Sequence, residues 1–162
     1  MEEYIMTIDE GTTSARAVLF NKDSEIIAIC AKEFAQYYPQ PGWVEQDPKE
    51  IWLTTKEVIN RVVLQAGIDP RQIKAAGITN QRETVVVYDK NTGEPVYNAI
   101  GWADRRTAPY CDELKAAGKE QMFIDKTGLL IDGYFSGTEI KWILDNVPGA
   151  REKAEAGDLY FS

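Results

Sequence analysis

Four short stretches hold residues whose types and spacing could do chemistry. The first is "DEGTTS", Asp9 to Ser14, where two acids, a glycine and three hydroxyl residues fall between two apolar runs. Backbone N–H groups and hydroxyls in such a turn can converge on a phosphate oxygen, which makes Thr12, Thr13 and Ser14 candidates. Asp9 could hold a hydrated Mg²⁺ beside that oxygen, and Arg16 adds a planar cationic donor. The plainer alternative is a hairpin turn with solvated hydroxyls. The sequence contains neither a P-loop signature nor a GxGxxG run, so the common nucleotide motifs do not decide between them.

The second stretch is "GITNQRET", residues 77–84, where an apolar strand runs into polar side chains. Ligands of α/β sheets often bind where a strand releases the chain. Arg82 donates several hydrogen bonds and Glu83 accepts several, so together they could grip the hydroxyls of a small polyol. A solvated Arg–Glu surface pair is the alternative. In the third stretch, "GWADRRT" (101–107), the face of Trp102 could pack on the carbon side of a polyol, or it could fill the core at a strand end. Arg105 and Arg106 read as surface charges at a helix start. In the fourth, "IDGYFSGTEIKWILD", Tyr134 precedes a helix, where its hydroxyl could reach a site or anchor a loop.

The elements that must position these residues are readable from periodicity. Residues 4–9, 14–20 and 26–34 are predicted strands, and their short polar connections favour an antiparallel meander. A helix is predicted to start at Asp47-Pro48 with Glu50 completing a capping box, and to stop at Gly67. Its apolar positions include Ile51, Trp52, Val58, Ile59, Val62 and Val63. "IKAAGIT" (73–79) is predicted to be a buried strand, and two more strands flank the "KNTGE" turn. Helices are predicted over 107–117, before Gly128, and from a capping box of Ser136 with Glu139, with "DLYFS" a last strand. In that last helix Ile140, Ile143, Leu144 and Val147 share one face. This order suggests an α/β domain over residues 1–162 around one mixed sheet.

Composition narrows the classes of function. A net charge of −8 argues against general nucleic-acid binding, which needs a basic face. There is no histidine, which excludes His-based triads and His-ligated metals in the chain. The two cysteines, Cys30 and Cys111, are too few and too far apart for a zinc cluster, and read as free thiols in a reducing compartment. No apolar run approaches the ~20 residues of a membrane span, and "MEEYIMTIDE" lacks a signal-peptide pattern.

Taken together, "DEGTTSARAVLF", "YPQPGWVEQDPKEIW", "GITNQRETVVVYDKNTGEPVYNAI", "DRRT" and "TGLLIDGYFSGTEIKWILD" resemble the N-terminal part of the FGGY family of carbohydrate kinases. Within the family they are more similar to glycerol kinases than to xylulose or gluconate kinases. The resemblance implies an actin-like, ribonuclease-H-type mixed sheet with flanking helices in a two-lobed kinase. It implies ATP and Mg²⁺ as cofactors and phosphorylation of glycerol, or a similar polyol, in the cytoplasm by a homo-oligomer. By motif, Thr12, Thr13, Ser14 and Arg16 look like phosphate and nucleotide contacts with Asp9 near the metal, and Arg82, Glu83, Trp102 and Tyr134 look like substrate contacts. The catalytic base is expected outside these residues, so this chain alone is expected to be inactive. Four positions depart from the family pattern: Glu10, Gly101, Ala103 and Gly133. Glu10 adds a charge beside the phosphate turn, and Gly101 and Gly133 are expected to loosen the backbone beside Trp102 and Tyr134. A kinase for another polyol and a non-catalytic binding module remain open.

Overall fold

Alternation within three short segments builds the first sheet: Tyr4 and Met6, then Ala15, Ala17 and Leu19, then Ala28 and Cys30 need the same cover. The computed structural model describes residues 2–162. Its strands are β1 (Tyr4–Glu10), β2 (Ser14–Asn21), β3 (Ile26–Glu33), β4 (Glu45–Gln46), β5 (Ile73–Thr79), β6 (Val87–Asp89), β7 (Ala99–Ile100) and β8 (Leu159–Phe161). Its helices are α1 (Pro48–Ala66), α2 (Ala108–Ala116), α3 (Glu120–Thr127), α4 (Ser136–Asn146) and α5 (Ala150–Glu155). The chain divides into two units, one holding residues up to Gln36 and Asp47–Gln81, the other Tyr37–Gln46 and Arg82–Ser162.

In the first unit β1, β2 and β3 form the expected antiparallel meander, and β5 joins β1 in parallel, giving the order β3-β2-β1-β5. Tyr4, Met6, Ala15, Ala17, Leu19, Ala28 and Cys30 form one cluster with Val58 and Val62 of α1. Asp47 caps α1 by accepting the Lys49 N–H at 2.8 Å, and Gly67 ends it in the left-handed region at φ 64°. Glu50 Oε1 accepts the Ala35 N–H at 3.1 Å, tying the helix to the segment after β3. Trp52 departs from the expected apolar stripe: it is 60% exposed, with the Lys56 ammonium 5.2 Å from its ring centre. The largest departure is β5, which reads as a buried strand but lies at the sheet edge with all residues after Ile73 exposed. The buried side chains that meet α1 come from β1, β2 and β3, and none from β5, although β3 is an edge strand too.

The second unit holds two short ribbons instead of a continuation of one sheet: β4 pairs with β7, and β6 pairs with β8, both antiparallel. The strands around "KNTGE" meet only through bridges at Val85–Ile100 and Tyr88–Pro95. Val85, Val87, Ile100, Ile143 and Ala150 make the apolar core, with Ile140, Leu144 and Val147 of the α4 region packed on it as their spacing predicts. The expected Ser136–Glu139 capping box does not form. Phe135 is the N-cap residue, Ser136 is already helical, and Glu139 is buried.

Beside that core lies a buried ion cluster. The Arg106 guanidinium is fully buried, against the expectation of a surface charge, and donates to Asp104 Oδ2 and Glu45 Oε1, each at 2.8 Å. The faces of Trp43 and Trp142 lie 3.9 and 4.6 Å from its central carbon. Desolvation opposes its charge, but hydrogen bonds to Asp104 and Glu45 outweigh this and raise its pKa. Glu45 also accepts the Tyr97 hydroxyl at 2.6 Å and the Asn98 amide at 2.9 Å.

Glu139 faces this cluster with neither carboxyl oxygen hydrogen-bonded. Burial, then the Asp104 charge, push its pKa up to about 9, with Arg106 acting the other way. A carboxyl raised in the folded state keeps its proton there while the unfolded chain loses it, so its contribution to stability falls as pH rises from the ordinary carboxylate range to about 9. The neutral Glu139→Gln variant should therefore raise the melting temperature more at pH 8 than at pH 5. Thermal melts at both values check this, and an equal effect would mean that Glu139 is folded in as a carboxylate.

Candidate functional site

Alternation along β1 sends Asp9 and Glu10 to opposite faces of the first sheet. Glu10 goes to the α1 side, where its Oε1 accepts the Thr55 hydroxyl at 2.7 Å. The extra charge expected beside the phosphate turn is thus drawn onto the helix. Asp9 stands opposite Arg16 across the β1–β2 ladder, with 3.8 Å between carboxylate and guanidinium. The turn between the strands closes through the Gly11 N–H and the Ser14 carbonyl at 3.0 Å, so Gly11 has no N–H to offer a ligand. Thr12 and Thr13 are exposed at its tip, and Ser14 is half-buried at the start of β2. The Thr12 carbonyl accepts the Gln36 amide and the Thr13 carbonyl accepts the Phe34 N–H, which hold the tip against the segment after β3.

The donor set fits a hydrated divalent cation at Asp9 and no more than that. Among the described residues, no three acidic or cysteine side chains converge as a metal cluster. Mg²⁺ is commonly held by one or two carboxylates, with waters and phosphate oxygens completing the shell.

In the second unit Glu83 takes a left-handed backbone, φ 55°, which costs a residue with a Cβ free energy. Its carboxylate accepts the Tyr134 hydroxyl at 3.1 Å. That bond, with burial second, raises the pKa of Tyr134, and the Arg82 charge opposes it. The Tyr134 ring meets Trp102 edge-on, their centres 6.0 Å apart, and Phe135 at 5.1 Å. Trp102 is 41% exposed and lines, with Tyr134, a cavity of about 670 Å³. Arg82 is exposed beside Glu83. Glu83, Trp102 and Tyr134 are therefore brought together, Arg82 is their neighbour through the chain, and Asp9, Thr12, Thr13, Ser14 and Arg16 form a separate group in the first unit.

The two glycines beside these aromatics differ in the space around them, Gly133 being the more closely packed. A Cβ on Gly133 would lie 3.1 Å from the Thr107 hydroxyl, and one on Gly101 would lie 3.4 Å from a methyl of Val44. Sequence reasoning missed Asp132 and Arg105 on the cavity wall. Asp132 accepts the Tyr134 N–H at 2.9 Å, a local turn for which an aspartate two residues before Tyr134 was a usable signal. It also missed the apolar part of the wall, Leu129 and Leu130, since two exposed leucines carry no pattern of their own.

Comparison with known proteins extends the geometry. The model of the N-terminal domain of the FGGY family of carbohydrate kinases matches residues 4–161. A glycerol kinase of Carboxydothermus hydrogenoformans is 61% identical over 160 residues, 99% of this chain and 32% of the relative. One of Chromobacterium violaceum is 59% identical over the same shares. The crystal structure of Plasmodium falciparum glycerol kinase with ADP superposes with a TM-score of 0.93 at 32% identity, covering 99% of this chain and 32% of that one. Gluconate kinase from Lactobacillus acidophilus gives 0.82 at 25% identity, over 90% and 29%. The chain spans about a third of the length of the curated relatives it matches. Its mixed sheet with flanking helices is the actin-like arrangement of these sugar kinases. With one family model running through both units, the chain belongs to the FGGY family of carbohydrate kinases, whose N-terminal domain it matches.

Proposed function

We propose that this chain is the N-terminal portion of an ATP-dependent glycerol kinase, transferring the γ-phosphoryl group of ATP to glycerol. The observation that carries the reading is the strained Glu83, whose carboxylate meets the Tyr134 hydroxyl next to the cavity shared by Tyr134 and Trp102. Backbone strain of this kind persists where the surrounding structure over-determines it, most often at binding sites. The similarity to glycerol kinases at about 60% identity supports the choice of substrate. The single family match over residues 4–161 supports treating both units as parts of one N-terminal domain.

In this reading Glu83 accepts hydroxyl protons of glycerol and Arg82 donates to its oxygens. Trp102 covers its carbon side and excludes water, and Tyr134 sets the carboxylate's direction. Thr12, Thr13, Ser14 and Arg16 donate to the phosphates of the nucleotide, while Asp9 holds the hydrated Mg²⁺. The metal, when bound, neutralises phosphate charge as it develops. The two buried free thiols fit a reducing cytoplasm, and self-association of the full-length kinase belongs to the same proposal. A cavity of about 670 Å³ is far larger than a three-carbon polyol. The cavity is open and does not close around a small molecule, so a second reading, a kinase of this family acting on a longer polyol or sugar, is separated by a substrate panel.

In the full-length kinase, Arg82→Ala and Glu83→Ala should each leave a substrate hydroxyl without its partner. The cost is about 1–3 kcal/mol, a fall in kcat/KM of roughly 5- to 150-fold. Values for glycerol within twofold of the parent in both variants would refute these contacts. The chain of 162 residues by itself should not turn over glycerol. Phosphoryl transfer needs a positioned base, a metal-bridged triphosphate and a water-excluding cleft. A coupled ADP-release assay checks this, and glycerol-dependent turnover of about 1 s⁻¹ or more, the lower end of ordinary enzyme rates, would place the base within these residues.

A further inference from the structure

Trp102 and Tyr134 reach their cavity from two different turns of the second unit, and one ion pair ties those turns together. Arg105 Nη1 donates to Asp132 Oδ1 at 2.8 Å, and both residues line the cavity. The same Asp132 oxygen accepts the Tyr134 N–H at 2.9 Å, while the Asp132 carbonyl accepts the Phe135 N–H at 3.3 Å. Arg105 is itself pinned along the main chain. Its N–H donates to the Gly42 carbonyl at 2.8 Å, and its carbonyl accepts the Ala108 N–H at 3.1 Å. Arg105 is therefore a fixed post three residues after Trp102, and Asp132 hangs the Tyr134 main chain from it.

We propose that the Arg105–Asp132 pair is a positioning device for polyol binding, setting the Tyr134 hydroxyl against Glu83 and the Tyr134 ring against Trp102. The proposal rests on the kinase reading above and adds residues that touch no substrate themselves. The alternative is an ordinary surface ion pair. With side chains 57% and 41% exposed, such a pair adds little to stability. Stability and substrate binding therefore separate the two roles. The bond from the Tyr134 N–H is also the leading cause of the lowered Asp132 pKa, ahead of the Arg105 contact. The carboxylate is thus the form that holds the turn at neutral pH.

The test uses the full-length kinase with glycerol and MgATP, comparing the parent with Asp132→Ala, Asp132→Asn and Arg105→Ala. Asp132→Ala removes both the pair and the acceptor for Tyr134. It should raise KM for glycerol about five- to twentyfold with kcat within about twofold, the signature of lost ground-state binding. Its melting temperature should stay within about 2 °C of the parent, as expected for a half-exposed pair. Asp132→Asn keeps an oxygen for the Tyr134 N–H and should recover KM to within about threefold of the parent. Arg105→Ala leaves the acceptor but removes the post that holds it, and should raise KM for glycerol about three- to tenfold with kcat within about twofold; a KM within twofold of the parent would overturn the pair as the positioning device. A KM within twofold of the parent for Asp132→Ala, or no recovery in Asp132→Asn, would overturn the proposal. So would a KM rise accompanied by a fall of more than about 5 °C in melting temperature, which marks general loosening. A parent enzyme that turns over ATP only with another polyol, or not at all, would overturn the glycerol reading itself. A flat KM in the variants of an active parent overturns this inference alone.

Discussion

A buried guanidinium must recover most of its lost hydration from its surroundings, and the second unit is arranged around that demand, with Arg106 Nη1 left without a hydrogen-bond partner. Removing a charge from water costs several kcal/mol after relaxation. Arg106 recovers it from Asp104 in the turn before α2, from Glu45 on β4, and from the ring faces of Trp43 and Trp142. The partners come from residues 43–45, from Asp104 in the same turn as Arg106, and from α4, so the cation fixes where three segments meet. Asp104 further accepts the Val44 N–H at 2.6 Å, which locks β4 to the turn that carries Trp102. The turn that carries Trp102 is thereby anchored to a charge cluster that is itself buried.

The first unit works by a different constraint, strand parity. One residue of shift in β1 would exchange the faces of Asp9 and Glu10, turning the acid beside Arg16 into the helix and the helix partner outward. The ladder from Tyr4–Asn21 to Glu10–Ala15, together with the apolar cluster under α1, excludes that shift. Parity thus gives the two neighbouring acids separate surroundings, Glu10 packed against Thr55 and Asp9 facing Arg16 on the other side of the sheet.

What was legible in the sequence was local. The boundaries of β1 to β3 and of α1 follow from alternation, a proline, an aspartate cap and a glycine stop, all contained within a few residues of each other. The resemblance of the motifs pointed to the family that the comparisons then established. What failed depended on distant partners. Arg106 read as a surface charge because its acceptor Glu45 lies 61 positions away, and no local pattern announces a buried cation. Glu139 read as a helix cap from its spacing to Ser136, yet the site it fills is defined by Asp104 and Arg106 on another segment. The strand at 73–79 was found, but whether it is covered depends on which strands α1 packs on, which composition does not encode. Among the proposed site residues, Trp102 and Tyr134 were singled out by type, while Arg105 and Asp132 beside them were overlooked because ordinary charges in loops carry little signal.

The left-handed backbone at Glu83 bears on how such a protein can change over generations. A conformation of this kind costs on the order of 1–3 kcal/mol in a residue with a side chain, and glycine would remove most of that cost. Glycine would also delete the carboxylate that receives the Tyr134 hydroxyl. At this position the most stabilising replacement and the most useful side chain are different amino acids. A search that rewards thermal stability alone would be drawn to replace Glu83, trading the polar contact for a relaxed turn.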